Sequence, residues 1–120
     1  FAGKCRAAFL GVREVVQECD RLLTRNRIFY DRARDVGVIS REDAVSCGFT
    51  GPCLRATGIP YDVRKASSYL VYDRMDFEIP VGDHGDTYDR YKVRMAEMEQ
   101  SMRIVEQALR DLPDGPVCLN

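Results

Sequence analysis

The sequence predicts a mainly α-helical domain with a small β element. Two long amphipathic segments, one near each end of the 120-residue chain, repeat apolar residues at steps of three and four. This is the periodicity of a helix with one buried face. Between them lie a glycine- and proline-rich loop and a short stretch in which apolar and polar residues alternate. Because a chain of this length can bury a real core, we predict that residues 1–120 form a single domain.

The composition excludes some classes of partner. The chain has 18 basic and 19 acidic residues and a formal net charge of −1, which argues against binding to nucleic acid or to an acidic membrane surface. No run approaches eighteen apolar residues, and the first ten residues lack the basic start and apolar core of a secretory signal. We therefore expect a soluble chain, although a soluble subunit can still sit on a membrane complex.

The cysteines show neither metal-ligand spacing nor a disulfide framework. None of the five forms a CxxC pair, so we predict reduced, structural thiols. They are Cys5, Cys19, Cys47, Cys53 and Cys118.

The first predicted helix covers residues 2–24, and its apolar stripe requires a packing partner. An arginine-rich stretch follows at residues 21–35, interrupted by Asp31 and Asp35. It fits either a solvated face with weak local ion pairs or a basic patch for phosphate or an acidic subunit, and the interleaved acids favour the solvated face. A brief helix then starts at Ser40, with Asp43 at the capping-box position and Gly48 as its stop.

The glycine- and proline-rich loop spans residues 48–65, GFTGPCLRATGIPYDVRK. Its three glycines and two prolines predict that it continues neither a helix nor a central strand. The glycines, which we expect to shape the loop, are Gly48, Gly51 and Gly58. Its charged residues, predicted to form a buried ion-pair hub or a partner-facing latch, are Arg55, Asp62, Arg64 and Lys65. No nucleophile lies beside them, so we predict positioning roles and no catalytic residue.

A half-buried strand is predicted at residues 75–81, where apolar residues alternate with polar ones, and Pro80 indicates an edge position. A turn follows the predicted strand, and Asp86 at its end is the predicted N-cap of a last helix at residues 87–112. That helix carries a heptad-like apolar seam, which includes Met95, Met98 and Met102 as core residues. We expect the first and last helices to pair antiparallel or to stack on helices outside this chain.

Residues for catalysis or metal binding are scarce. His84 is the only histidine, which excludes a two-histidine metal site, and its place in a turn predicts a solvated or capping residue. The sequence contains no GxSxG, Walker A or GxGxxG motif. We therefore predict no bound metal.

The run LLTRNRIFYDRARDVGVISREDAVSCGFTGPCLRATGIPYDVRK, followed by YDRMDFEIPVGDHGDTYDRY, resembles the D subunit of NADH-quinone oxidoreductase, respiratory complex I. The similarity covers nearly the whole chain, and the motif GFTGPxLRxxGxxxDxRK is highly specific. Relatives usually carry glycine and serine at Ala56 and Thr57, and tryptophan at Tyr61. Ala56 suggests that its position needs no positive φ, which leaves Gly58 as the more strained residue. Cys53 also departs from the family pattern, so no contact is assigned to it.

The resemblance implies an internal fragment of a larger subunit that shares the fold of the large subunit of nickel-iron hydrogenases. It implies a role at the contact between the quinone site and the neighbouring iron–sulfur subunit, on the cytoplasmic side of the inner membrane. Quinone would be the substrate of the whole complex, and FMN and iron–sulfur clusters would belong to other subunits. The isolated fragment would be inactive and without cofactor, and its apolar stripes would promote self-association.

Two other interpretations remain open. The large subunit of a membrane-bound hydrogenase or formate hydrogenlyase shares the GPxxRxxG and DxR elements. A stand-alone helical interaction module without a redox role is the alternative from a different class.

Overall fold

The computed structural model describes residues 1–113 and 115, and these residues are mainly α-helical, as predicted. A π-helical turn, Asp20–Thr24, continues the first helix, and a 3₁₀ turn, Tyr72–Arg74, follows the fifth. The described part of the chain contains no strand. The helices are α1 (Ala2–Cys19), α2 (Arg27–Ala33), α3 (Arg41–Ser46), α4 (Gly51–Arg55), α5 (Val63–Ala66) and α6 (Thr87–Arg110).

Helices α1 and α6 pair antiparallel, which is the first of the two arrangements that the sequence predicts. Arg13 of α1 binds Glu99 of α6 at 2.9 Å, and Thr24 in the π-helical turn lies 3.0 Å from the Tyr91 hydroxyl. As residue numbers increase along the N-terminal helix, the numbers of their partners on α6 decrease, so the two helices run antiparallel. The N-terminal helix follows its predicted bounds, and α6 ends at Arg110, two residues before the predicted end.

The apolar seam predicted on α6 describes only part of its buried surface. Met102 is buried as predicted, but Met98 is 37 % exposed, so its assignment to the core is wrong. Val93 and Ile104, which lie off that seam, are 2 % and 8 % exposed. The reason is that α6 packs on α1 along one side and on α4 along another, which a single stripe cannot represent.

The strand predicted at residues 75–81 is an extended segment without a pairing strand, so that prediction is wrong. The alternation itself is real, because Phe77 is 1 % exposed while Asp76 and Glu78 face solvent. Glutamine side chains of α6 replace the missing strand: the Asp76 N–H donates to Gln107 Oε1, and the Glu78 N–H donates to Gln100 Oε1, both at 2.9 Å. Backbone donors that a sheet would use are satisfied by a helix.

Four of the described helices, α2, α3, α5 and α6, begin at side-chain caps. Ser40 accepts a hydrogen bond from the Asp43 N–H at the start of α3, and Asp86 accepts one from the Asp89 N–H at the start of α6, which confirms both predicted N-caps. Residues 48–65 are predicted to continue neither a helix nor a central strand, and the helical part of that prediction is wrong because they contain two short helices. Helix α4 begins at Gly51 with a proline in its first turn, where no donor is lost, and α5 is capped by Asp62.

An aromatic cluster joins α2 to the start of α6. Phe29 packs on Tyr91 with ring centroids 5.0 Å apart, Tyr30 packs on Tyr88 at the same distance, and Tyr88 Oη donates to the Thr24 carbonyl at 2.8 Å. Among the neighbouring arginines, exposed Arg27 forms a 3.6 Å ion pair inside α2. This agrees with the solvated face favoured for that stretch.

The chain is elongated and exposes much apolar surface. Its radius of gyration is 17.3 Å, whereas a compact domain of this length has about 14 Å. Leu10, Val15 and Leu22 of the N-terminal segment are each at least 60 % exposed. Within residues 1–113, no helix has the length and apolar character needed to cross a membrane. The described cysteines are free thiols, and Cys118 lies outside the described residues.

Candidate functional site

Arg55 is directed into the protein. Its side chain is 11 % exposed, and its Nε donates to Glu97 Oε1 of α6 at 2.6 Å. Its Nη1 donates to the Tyr61 carbonyl oxygen at 2.9 Å. Arg55 therefore ties α4, the segment before α5 and α6 together. Since both of its contacts are internal, it acts as a brace.

Asp62 and Arg64 form a bidentate ion pair. Arg64 Nε donates to Asp62 Oδ1 at 2.9 Å, and Arg64 Nη2 donates to Asp62 Oδ2 at 2.6 Å. The Asp62 carboxylate also accepts the Arg64 backbone N–H, which caps α5. The side-chain hydrogen bond from Arg64 is the main reason that the pKa of Asp62 lies below its ordinary value. The pair fixes the start of α5.

The buried aromatic ring of Phe77 forms cation–π contacts with two basic side chains. The guanidinium carbon of Arg64 and the ammonium nitrogen of Lys65 each lie 4.8 Å from the centre of its ring. Lys65 is exposed and forms no ion pair with a described carboxylate. Of the four predicted positioning residues, Lys65 is the one presented to solvent.

A cavity of about 470 Å³ lies beside these residues. Arg55, Asp62 and Arg64 line it together, and Lys65 lies outside it. Val63 and Tyr69, each close to half exposed, line it as well. The lining combines apolar and charged side chains, but it contains no nucleophile paired with a general base.

The glycines of residues 48–65 bear out the predicted backbone strain. Gly58 has a φ of +84°, and an added Cβ would lie 2.8 Å from an Arg41 side-chain atom. Ala56 has a φ of −62°, which confirms that its position does not need glycine. Gly48 and Gly51 have φ values of +69° and +62°. All three predicted glycines occupy the left-handed region, where other residues are strained.

The sequence analysis missed a second charged cluster, which we call the 82–89 hub after its residues. Asp86 and Asp89 are each 1 % exposed. Asp89 Oδ2 accepts the backbone N–H groups of Asp83 and His84 at 2.7 Å, and Lys92 Nζ lies 2.8 Å from Asp89 Oδ1. Burial raises the pKa of Asp89, but the hydrogen bonds from Lys92, His84 and Asp83 outweigh it and hold that pKa well below its ordinary value.

The hub also binds distant parts of the chain. Asp86 Oδ2 accepts the Asp35 N–H at 2.9 Å. The Gly82 N–H donates to the Arg55 carbonyl and the Gly85 N–H donates to the Ala56 carbonyl, both at 2.9 Å. The hub therefore fixes the end of α4, from which the Arg55 side chain extends to α6.

His84 agrees with the solvated alternative of the predicted solvated or capping role. Its ring is half exposed, and its backbone N–H binds Asp89. Its Nε2 lies 3.2 Å from an Arg34 nitrogen that can only donate, so Nε2 accepts and the proton belongs on Nδ1, facing Asp89.

Glu97, the partner of Arg55, was also missed. It lies 42 positions from Arg55, so no local pattern links the two residues. The sequence does place Glu97 one helical turn after Val93, on the second apolar face of α6, and a charged residue on an apolar face indicates a buried partner. No group of three or more histidine, cysteine, aspartate or glutamate side chains within the described ranges is arranged to hold a metal ion.

The profile of a protein family described as "Respiratory-chain NADH dehydrogenase, 49 Kd subunit" matches residues 1–120. The chain belongs to this family. The D subunit of NADH-quinone oxidoreductase from Myxococcus xanthus is 57 % identical over 106 residues, which are 88 % of this chain and 26 % of that relative. The D subunit numbered 1 from Sorangium cellulosum is 50 % identical over 118 residues, 98 % of this chain and 29 % of its own length.

The match confirms the family indicated by the loop motif. The chain spans about a quarter of the length of the curated relatives it matches.

Proposed function

We propose that this chain is a central segment of the hydrogenase-like D subunit of a proton-pumping NADH-quinone oxidoreductase. In that role it braces the contact between the quinone-reduction site and the neighbouring iron–sulfur subunit. The observation that carries the proposal is the identity of 50–57 % to proteins named as the D subunit of that enzyme. These names favour the quinone enzyme over the hydrogenase large subunit and over a stand-alone helical module.

The geometry of residues 48–65 supports a bracing role. Arg55, Asp62 and Arg64 are occupied with internal partners and hold the cavity in shape, while Lys65 faces outward. Six exposed apolar or aromatic side chains lie within residues 49–71, and three of them line the cavity. Aromatic and arginine residues around a pocket are typical of the energetic centre of a protein interface. The six side chains are Phe49, Tyr61, Val63, Tyr69, Leu70 and Val71.

The elongated shape and the small core also support packing against further protein. Large exposed apolar areas mark surfaces that pack on further protein. We propose that the other parts of the D subunit and the adjacent subunits cover them, and that residues 1–120 form one domain of that assembly. The complex as a whole would pass electrons from NADH to quinone, with FMN and iron–sulfur clusters in other subunits. It would sit peripherally at the cytoplasmic side of the inner membrane, and the isolated chain would oxidise no NADH and bind no metal.

A charge placed on the exposed surface tests the bracing role. Val63→Glu, at a side chain lining the 470 Å³ cavity, should lower assembly or quinone reduction in the full complex. Reduction of an artificial acceptor upstream of the quinone site should persist in whatever complex assembles. Val45→Glu is the matched control, because Val45 is 63 % exposed and does not line this cavity.

Thermal unfolding of both variants of the 120-residue chain checks that neither perturbs folding. Equal assembly and equal quinone reduction in the two variant complexes would reject the bracing role.

A further inference from the structure

Leu70 lies in the loop of residues 67–71, between α5 and the 3₁₀ turn, in an unfavourable conformation. Its side chain is 87 % exposed, and its backbone has a φ of +52°. Among the described residues, the only other non-glycine residue with a positive φ is Asp35, whose short polar side chain tolerates this conformation. A branched apolar side chain does not. Leu70 is therefore strained without being buried in return.

Neighbouring side chains hold this loop against the buried ring of Phe77. Tyr69 and Tyr72 pack edge to face with ring centroids 5.0 Å apart, and the Tyr72 N–H donates to the Tyr69 carbonyl at 3.2 Å. The Arg64 guanidinium carbon lies 5.8 Å from the centre of the Tyr72 ring and 4.8 Å from that of Phe77. Leu70 therefore projects from a loop that its neighbours fix to the protein.

The loop also borders the cavity beside Asp62. Tyr69 lines that cavity of about 470 Å³, and Ser68 and Tyr72 line a smaller one of about 280 Å³. Leu70 thus lies between residues that belong to two concave surfaces. A protein subunit that covers the larger cavity would also meet the side chain of Leu70.

Given the proposed function, on which this inference rests, we propose that Leu70 inserts into an apolar pocket of a neighbouring protein subunit. The partner's surface has a concave apolar site that accepts one leucine side chain beside the cavity lined by Tyr69. Burial of an exposed leucine favours association. Because the loop is already fixed, little conformational entropy is lost when the side chain binds.

The surroundings of Leu70 favour a protein pocket over a membrane surface. Exposed Ser67, Ser68 and Asp73 border the apolar side chain, and the net charge of the chain is −1. A loop that binds a membrane uses a larger apolar face and basic residues that attract anionic lipid.

The substitution Leu70→Asn separates binding from folding, because asparagine tolerates a positive φ better than leucine and lacks the apolar side chain. In urea unfolding, the 120-residue variant should have an unchanged or several-fold higher folding equilibrium constant. In the complete complex, the D subunit should dissociate on dilution at a concentration at least about tenfold higher, since the buried leucine is lost. Size-exclusion chromatography measures this concentration.

Val45→Asn is the matched control, because Val45 is 63 % exposed and lines neither cavity. It should leave dissociation of the complex unchanged. If Leu70→Asn destabilises the isolated chain, Leu70 belongs to the fold and the proposal is overturned. If Val63→Glu weakens the complex and Leu70→Asn does not, the bracing role stands and Leu70 is rejected as an anchor. If neither variant weakens the complex, both proposals fail.

Replacement of Leu70 by the photoreactive amino acid benzoylphenylalanine in the complete complex identifies what covers this position. Mass spectrometry of the irradiated complex locates the crosslink. A crosslink to apolar residues of another subunit supports the proposal. Crosslinks only to lipid would make the loop a membrane contact, and crosslinks only within the D subunit would make it an internal contact; either result overturns the proposal.

Discussion

Asp62 and Asp89 are both buried carboxylates that accept backbone N–H groups and pair with a nearby cation, yet they organise different amounts of structure. The partners of Asp62 lie within two residues, so its bonds shape one turn that lines a cavity. Asp89 belongs to the 82–89 hub, whose backbone also binds Arg55 and Ala56. The Asp62–Arg64 pair therefore shapes a surface, whereas the 82–89 hub stabilises the fold. The sequence motif indicated only the Asp62–Arg64 pair.

The largest expected effect is at the hub. Asp89→Ala would leave the backbone N–H groups of Asp83 and His84 and the Lys92 ammonium group without their acceptor. Removing one partner of such a buried charged group costs about 3–5 kcal/mol of the free energy of unfolding. Urea unfolding of the 120-residue chain measures it. A loss no larger than that of Asp62→Ala would reverse the comparison.

Gly85→Ala tests the backbone of the hub. Gly85 has a φ of +66°, and an added Cβ would collide with the Ile39 carbonyl oxygen. We expect a loss of about 3 kcal/mol, from backbone strain combined with this clash. Gly48→Ala is the matched control, because Gly48 has a φ of +69° with no atom within 4 Å of the added Cβ. It should lose only about 1 kcal/mol. Equal midpoints in thermal unfolding would contradict the role assigned to the Gly85 contact.

Asp62→Ala should have a smaller effect on folding, about 1–2 kcal/mol, because it removes a helix cap and a partly exposed ion pair. Its effect on the full complex should be the larger one, since the cavity beside α5 loses the carboxylate that pairs with Arg64. Comparing urea unfolding of the chain with quinone reduction by the complex separates the two effects. Wild-type activity in a fully assembled Asp62→Ala complex would show that the Asp62–Arg64 pair has no positioning role.

Acid unfolding should rank the two carboxylates. The pKa values of Asp62 and Asp89 both lie below the ordinary value, so each contributes stability that is present above pH 4–5 and is lost as the pH falls toward the lowered pKa. One carboxylate changes the unfolding free energy by at most about 1.4 kcal/mol per pH unit. Between pH 5 and pH 3, Asp89→Asn should flatten this dependence more than Asp62→Asn does. The opposite order would show that the Asp62–Arg64 pair is the stronger electrostatic element.

The sequence predicted what depends on neighbours along the chain. The spans of α1 and α6, the caps at Ser40 and Asp86 and the strain at Gly58 follow from periodicity or from local backbone chemistry. The strand at residues 75–81 was wrong because its hydrogen bonds go to Gln100 and Gln107, which alternation cannot reveal.

The candidate site was predictable in its residue types but not in its connections. The motif identified Arg55, Asp62, Arg64 and Lys65, and three of them do meet at one cavity. That Arg55 reaches Glu97 depends on how α4 packs on α6, a long-range property of the folded chain.

The long-range bonds of the hub also bear on the order in which the chain folds. Asp35 and Asp86 lie 51 positions apart, and closing a loop of that length costs conformational entropy before any contact compensates it. Helix α6 can begin earlier, because Asp86 caps it locally through the Asp89 N–H. We therefore expect the hub to form after the transition state, so that substitutions there mainly accelerate unfolding. The same buried turn that fixes α4 would then set the lifetime of the folded chain.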